Sequence, residues 1–198
     1  MPRVGDALIS ARIGVLGGSF DPVTRAHITI VEAAADGLCL DRVLLIPVAQ
    51  QPFKPEGPRA GPADRVAMLE LAVRNHPRLS VDRREIERGG PSYTIDTVEN
   101  LSRDFQGDEL FFLVGADAAR QFSSWRDAAR IGEFVRVVAL TRAGEAPPNS
   151  PHIPQTITVP SLDISASGVR EAVGRGRSFE DLVPPKVAEY IRSHRLYA

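Results

Sequence analysis

Residues 13–48, IGVLGGSFDPVTRAHITIVEAAADGLCLDRVLLIPV, decide how this chain folds. Ile13 to Leu16 is a short apolar run that ends in Gly17 and Gly18. After Thr24, the residues Ile28, Val31, Ala35 and Leu38 recur at the spacing that gathers apolar side chains on one face of a helix. Gly37 offers a terminator for that helix, and RVLLIPV at 42–48 has the length and β-branched content of a buried strand. The stretch reads strand, glycine turn, helix, strand, which is one βαβ unit.

Outward from it the alternation continues. Residues 49–62 carry Pro52, Pro55, Pro58 and Pro62 and form an exposed loop. A helix is predicted over Asp64 to Arg74, a short strand over Leu79 to Val81, and, after the charged segment DRREIERGG, a helix capped by Ser92 or Thr94 and running to Phe105. ELFFLV at 109–114 and the run from Val135 to Thr141 are buried strands, and residues 143–155 are a proline-rich connection. A last strand over Thr156 to Val159 precedes helices at Ser167 to Val173 and Pro185 to His194. The pattern implies an α/β fold: a Rossmann-like, doubly wound, mostly parallel sheet with helices on both faces and helical C-terminal segments. In such folds a ligand sits beyond the carboxyl ends of the strands, where strand order reverses.

The composition narrows the partners. Of 198 residues, 43% are hydrophobic and 25% charged, an ordinary globular mix with enough chain for one main core. With 24 basic and 25 acidic residues the formal charge is -1, which argues against nucleic acid or a membrane surface and for a small-molecule partner. No apolar run approaches the ~20 residues that span a bilayer, and MPRVGDALISAR lacks a signal peptide's apolar core, so a cytoplasmic location is expected. The single cysteine, Cys39, excludes an internal disulfide and is expected to be a buried thiol. No dedicated metal-ligand set is present, and the glycine-rich turn is neither GxxxxGK[ST] nor GxGxxG, which disfavours P-loop hydrolysis and hydride transfer.

The glycines at 17 and 18 permit close approach of backbone to a ligand, and the following helix offers unpaired N–H groups and a positive dipole end to phosphate. His27 falls in the first helical turn, three residues after Thr24, so imidazole and hydroxyl can face one pocket.

GGSFDPVTRAH at 17–27 resembles the (G)G-[ST]-F-D-P-x-[HT]-x-G-H signature of the nucleotidyltransferase superfamily, and ISASGVR at 164–170 resembles its second signature, I-S-[SA]-[ST]-x-[IV]-R. GGPSYTIDT at 89–97, VGADA at 114–118, the SW pair at 124–125 and the ending VAEYIRSHRLY are similar to the bacterial nicotinate-mononucleotide adenylyltransferases, from about Ile13 to Leu196. The resemblance implies one nucleotidyltransferase domain over 1–198, with residues 1–11 an N-terminal extension and 165–198 a helical C-terminal subregion. It implies that ATP and nicotinate mononucleotide react to deamido-NAD and pyrophosphate by in-line displacement, with Mg²⁺ carried on the ATP phosphates.

The residue roles it implies are these. Gly17, Gly18, Ser19, Phe20, His27, Asp117, Ile164, Ser165, Ser167 and Arg170 bind ATP, with His27 at the α-phosphate, Arg170 at the β and γ oxygens, and Asp117 at the ribose or ending a strand in an Asx-turn. Thr24, Lys54, Tyr93, Thr94 and Trp125 bind the mononucleotide, and His27, Thr24 and Arg170 are the catalytic set. Trp125 is a platform for the pyridine ring or a core aromatic; Tyr93 and Thr94 offer backbone N–H groups to the nicotinate carboxylate or cap a helix; Lys54 is a phosphate clamp or a solvated charge. Asp21 is expected to brace the loop rather than bind metal.

Three positions depart from the family pattern: Thr24 stands where histidine is usual, Ala26 replaces glycine, and Phe53 replaces a histidine before Lys54. Thr24 is the form found in phosphopantetheine adenylyltransferase, which is the alternative enzyme; a non-catalytic nucleotide-binding regulator is the alternative outside enzymes. The choice between nicotinate and nicotinamide, and whether the chain forms a homo-oligomer, are left open.

Overall fold

The computed structural model describes residues 10–52 and 56–198. Lys54 and Phe53 lie outside the described residues, as does most of the expected N-terminal extension. Strands β1 (Arg12–Gly18), β2 (Arg42–Pro47), β3 (Leu79–Val81), β4 (Glu109–Gly115), β5 (Arg136–Thr141) and β6 (Gln155–Thr158) form one sheet in the order β3-β2-β1-β4-β5-β6. Every strand pair in it is parallel. Helices α1 (Arg25–Gly37), α2 (Pro62–Val73), α3 (Arg84–Arg88), α4 (Thr94–Asp104), α5 (Ala116–Arg120), α6 (Ala128–Ile131), α7 (Ala166–Gly174) and α8 (Pro185–Ser193) connect and follow the strands.

Because successive strand side chains point to opposite faces, the apolar runs of the strands build two cores. Val43, Leu45, Phe111, Leu113, Val138 and Leu140 pack against α1, α2, α7 and α8. Their neighbours Leu44, Ile46, Leu110, Phe112, Val114, Val137 and Ala139 pack against α4, α5 and α6. A run that is apolar at every position is thus what a strand covered on both sides requires.

Several expectations need correction. Gly17 and Gly18 do not form the turn: pairing of β1 with β2 continues through Gly18↔Pro47, and the chain reverses after it, where Phe20 takes φ +45. Cys39 is exposed; Leu38 and Leu40 on either side of it enter the core, so at φ +50 the thiol points out. The helix after residue 92 has Tyr93 as its N-cap with no side-chain cap, because the Ser92 hydroxyl instead accepts from Ala49 N–H at 3.0 Å. The charged segment at 82–90 contains α3.

The strand order reverses between β1 and β4. Those two strands are paired only as far as Val15↔Phe112, so their last residues splay apart and open a crevice.

Candidate active site

The carboxyl end of β1 delivers Gly17 and Gly18 to that crevice. A Cβ on Gly18 would come within 3.0 Å of the Phe20 ring, whereas one on Gly17 would meet nothing within 4 Å and would occupy the crevice itself. Phe20 is buried and its ring lies edge-on to His27, centroids 5.3 Å apart. Asp21, also buried, accepts from the backbone N–H of Arg59 (2.8 Å) and Ala60 (3.0 Å) and from the Tyr197 hydroxyl (2.8 Å). It braces the loop, as expected from its place beside a proline.

Thr24 is the N-cap of α1 and forms a capping box in which His27 takes the place usually held by Glu or Gln. The His27 N–H donates to Thr24 Oγ1, and the Thr24 backbone N–H donates to His27 Nδ1 at 3.1 Å. A backbone N–H can only donate, so Nδ1 is the unprotonated nitrogen and the neutral ring carries its proton on Nε2. Burial pushes the imidazole down to about 4, which keeps it neutral near pH 7. Thr24 is fully buried and its Oγ1 lies 2.8 Å from Nδ1; what its hydroxyl does in this structure is hold the imidazole.

Arg170, at the middle of α7, donates from Nη1 to the carbonyl oxygen of Asp21 at 2.6 Å across 149 positions of sequence, with the Asp21 carboxylate 3.7 Å away. Its Nε is buried with no protein partner among the described residues. Ser165 caps α7 by accepting from Gly168 N–H at 3.0 Å; its hydroxyl and that of Ser167, 3.1 Å apart, are exposed, and Ile164 before them is half-buried. The two signatures therefore meet: the start of α7, with its dipole and hydroxyls, is tied to the turn after β1.

Beside them, the crevice widens into a cavity of about 300 Å³, the size of a small-ligand site. Gly17, Gly18, Tyr93, Thr94 and Trp125 line it together; Ser19, Phe20, Thr24, His27, Asp117, Ile164, Ser165, Ser167 and Arg170 do not. The Trp125 ring is held at 4.9 Å from Phe122 and edge-on to Phe112, and it is half-buried. The arrangement has two parts sharing Gly17 and Gly18: an aromatic cavity, and a cradle of α1 and α7 termini. Asp117 belongs to neither; it is fully exposed in the first turn of α5 and paired with Arg120 at 2.5 Å.

Sequence reasoning missed four participants. Arg65 is 1% exposed, donates to the Ser19 carbonyl at 2.8 Å and lies within Coulomb range of Asp21. Two guanidinium groups, Arg65 on the Ser19 carbonyl and Arg170 on the Asp21 carbonyl, thus hold the turn that carries one carboxylate, so two positive charges stand against one negative charge there. Tyr197 holds Asp21 from the far end of the chain, and burial together with that carboxylate pushes its hydroxyl up, so it remains a donor. Glu85 and Arg126 line the cavity. Burial raises the Glu85 carboxyl against the hydrogen bond it accepts from Thr97 at 2.6 Å. Arg65 carried a readable signal, since it shares the apolar face of α2 with Leu69 and Ala72 at i+4 and i+7.

Among the described residues no three His, Cys, Asp or Glu side chains gather as a metal-binding group. The carboxylate nearest the cradle, Asp21, already has both oxygens engaged. No helix of the described residues is long and apolar enough to cross a membrane.

Comparison with known proteins bears on the family and the fold. The cytidylyltransferase-like family matches residues 15–172. The chain is 41% identical to a probable nicotinate-nucleotide adenylyltransferase of Thermus thermophilus, over 94% of this chain and 99% of that protein. It is 40% identical to one of Bordetella pertussis, over 94% and 98%. Among solved structures, Plasmodium falciparum nicotinic acid mononucleotide adenylyltransferase complexed with NaAD superposes with a TM-score of 0.77 at 18% identity, covering 94% of this chain and 97% of that one, which is a likeness of fold.

Proposed function

Because this chain belongs to the cytidylyltransferase-like family, and within it groups with the nicotinate-nucleotide adenylyltransferases, we propose that it transfers the adenylyl group of ATP to nicotinate mononucleotide, giving deamido-NAD and pyrophosphate. The observation that carries the reading is the hydrogen bond from Arg170 to the carbonyl of Asp21, which brings the two signatures to one cradle next to one cavity.

The reaction joins two anions. The mononucleotide phosphate attacks the α-phosphorus in line, the bond from that phosphorus to the bridging oxygen breaks, and pyrophosphate leaves with the electron pair. Positioning and fixed positive potential supply the acceleration, and no covalent intermediate is required. His27 contributes a neutral Nε2–H donor, aimed through its Nδ1 contact with Thr24, to the α-phosphate. Arg170 has donors to spare for the β and γ oxygens, and the excess charge of Arg65 and Arg170 over Asp21 opposes the gathering negative charge. Ser165, Ser167 and the N–H groups of α7 cradle the triphosphate, while Tyr93, Thr94 and Trp125 hold the pyridine end in the cavity. Because no three acidic, histidine or cysteine side chains gather among the described residues, Mg²⁺ would be brought on the ATP phosphates, where it would offset their charge.

The phosphopantetheine reading rests on Thr24, and the regulator reading on Thr24, Ala26 and Phe53. The Thr24 hydroxyl is already committed to His27, and that contact serves a working imidazole. Incubation of the protein with ATP, Mg²⁺ and, separately, nicotinate mononucleotide, its amide or phosphopantetheine should release pyrophosphate with the first. Release with phosphopantetheine alone, or with none, overturns the proposal.

A further inference from the structure

We propose that Arg126 makes the cavity select a carboxylate over a carboxamide on the pyridine ring. The inference rests on the adenylyl-transfer reading and assigns it a specificity residue. Among the described residues that line the cavity, the charged ones are Glu85 and Arg126. Glu85 is buried and its carboxylate is engaged by the Thr97 hydroxyl at 2.6 Å, whereas Arg126 is the exposed cationic group of the lining.

The position of Arg126 is organised by aromatic neighbours. It follows Trp125 directly, and its guanidinium lies 4.7 Å from the centroid of the Tyr93 ring, the residue that caps α4 next to Thr94. Stacking of a planar guanidinium on a ring limits its rotation while leaving the edge N–H groups available. The nearest acid, Asp127, is 3.9 Å from Nε, and both side chains are about half-exposed, so that pair is weak and leaves the terminal nitrogens without a protein partner among the described residues.

A carboxylate accepts two parallel N–H bonds from such a group. A carboxamide offers one neutral oxygen and turns an NH₂ donor toward a donor, losing both the charge and half of the geometry. A pyridine ring seated against Trp125, with its 3-substituent toward Tyr93 and Thr94, meets Arg126 at that substituent. Carboxylate selection then needs no rearrangement of the site.

Pyrophosphate release by the wild type and by Arg126→Gln and Arg126→Lys, with nicotinate and nicotinamide mononucleotides, tests this. Arg126→Gln should raise KM for the acid roughly 10-fold or more, leave KM for the amide and for ATP within about threefold, and change kcat little, because the lost contact is made equally in ground and transition states. Arg126→Lys should restore part of the preference. An active Arg126→Gln variant that keeps the wild-type acid-to-amide ratio overturns the role of Arg126 alone. A wild type that releases pyrophosphate with neither mononucleotide overturns both this inference and the reading beneath it. Because Arg126 is exposed, an unchanged melting temperature is expected in both variants.

Discussion

The imidazole of His27 is kept uncharged by burial and oriented by the backbone of Thr24, so a single donor, Nε2–H, is left for a substrate oxygen. His27→Ala should lower kcat on the order of 100-fold or more, the usual loss when a transition-state donor is removed, and a steady-state assay measures it directly. The depressed ionisation also has a sign in stability. Between pH 6.5 and about 4 the unfolded chain binds a proton at this ring that the folded protein does not, so stability falls as pH drops through that window, by up to ~1.4 kcal/mol per pH unit. Urea unfolding of His27→Gln should lack that part of the dependence on pH; an identical dependence for the two proteins would contradict the neutral ring. The two glycines that end β1 separate in the same way. Gly18→Ala pushes a methyl against Phe20 and should lower the melting temperature, whereas Gly17→Ala should fold normally and raise KM, since its methyl enters ligand space. Residue identities were legible where chemistry repeats a motif, as at His27 and Arg170. That Thr24 spends its hydroxyl on the imidazole was not, because a Thr-x-x-His spacing fits a cap and a ligand equally well.

At the scale of elements, periodicity located the six strands and the five longer helices within a few residues. It failed for α3, α5 and α6, which have 5, 5 and 4 residues and are too short to show a helical repeat. It also failed for Cys39, because apolar neighbours suggested burial while a positive φ between two core leucines turned the side chain out. The chain end beyond α8 has a role no local pattern shows. Tyr197 donates to a carboxylate 176 positions away, and α8 is fixed to α2 by the Tyr190 hydroxyl on Asp64 at 3.0 Å. Tyr197→Phe removes one charge-assisted donor and leaves Asp21 its two backbone donors, so a loss of roughly 1–2 kcal/mol is expected. For a chain of this length that is a fall of roughly 2–8 °C in melting temperature. A concurrent rise in KM for ATP would follow from loosening the carbonyl that Arg170 binds. An unaltered melting temperature would mean that the contact does not hold the terminus.

For the whole molecule, the alternation of strands and helices was enough to predict the doubly wound parallel sheet, whereas the reversal of strand order between β1 and β4 is known from the structure alone. The depth of the cavity was not readable, because it depends on where β1 and β4 cease to pair, at Val15↔Phe112. Nor was the positive charge of the cradle, which is the excess of Arg65 on α2 and Arg170 on α7 over Asp21 in the turn after β1 and has no counterpart in a net charge of -1. The account turns on one triphosphate being held jointly by the start of α1 and the start of α7. A double-mutant cycle of His27→Ala and Arg170→Ala, read as kcat/KM for ATP, tests that most directly. Groups acting on one transition state should be non-additive, with a coupling energy of at least about 0.5 kcal/mol, whereas losses that add within that margin would mean that the two residues serve separate sites.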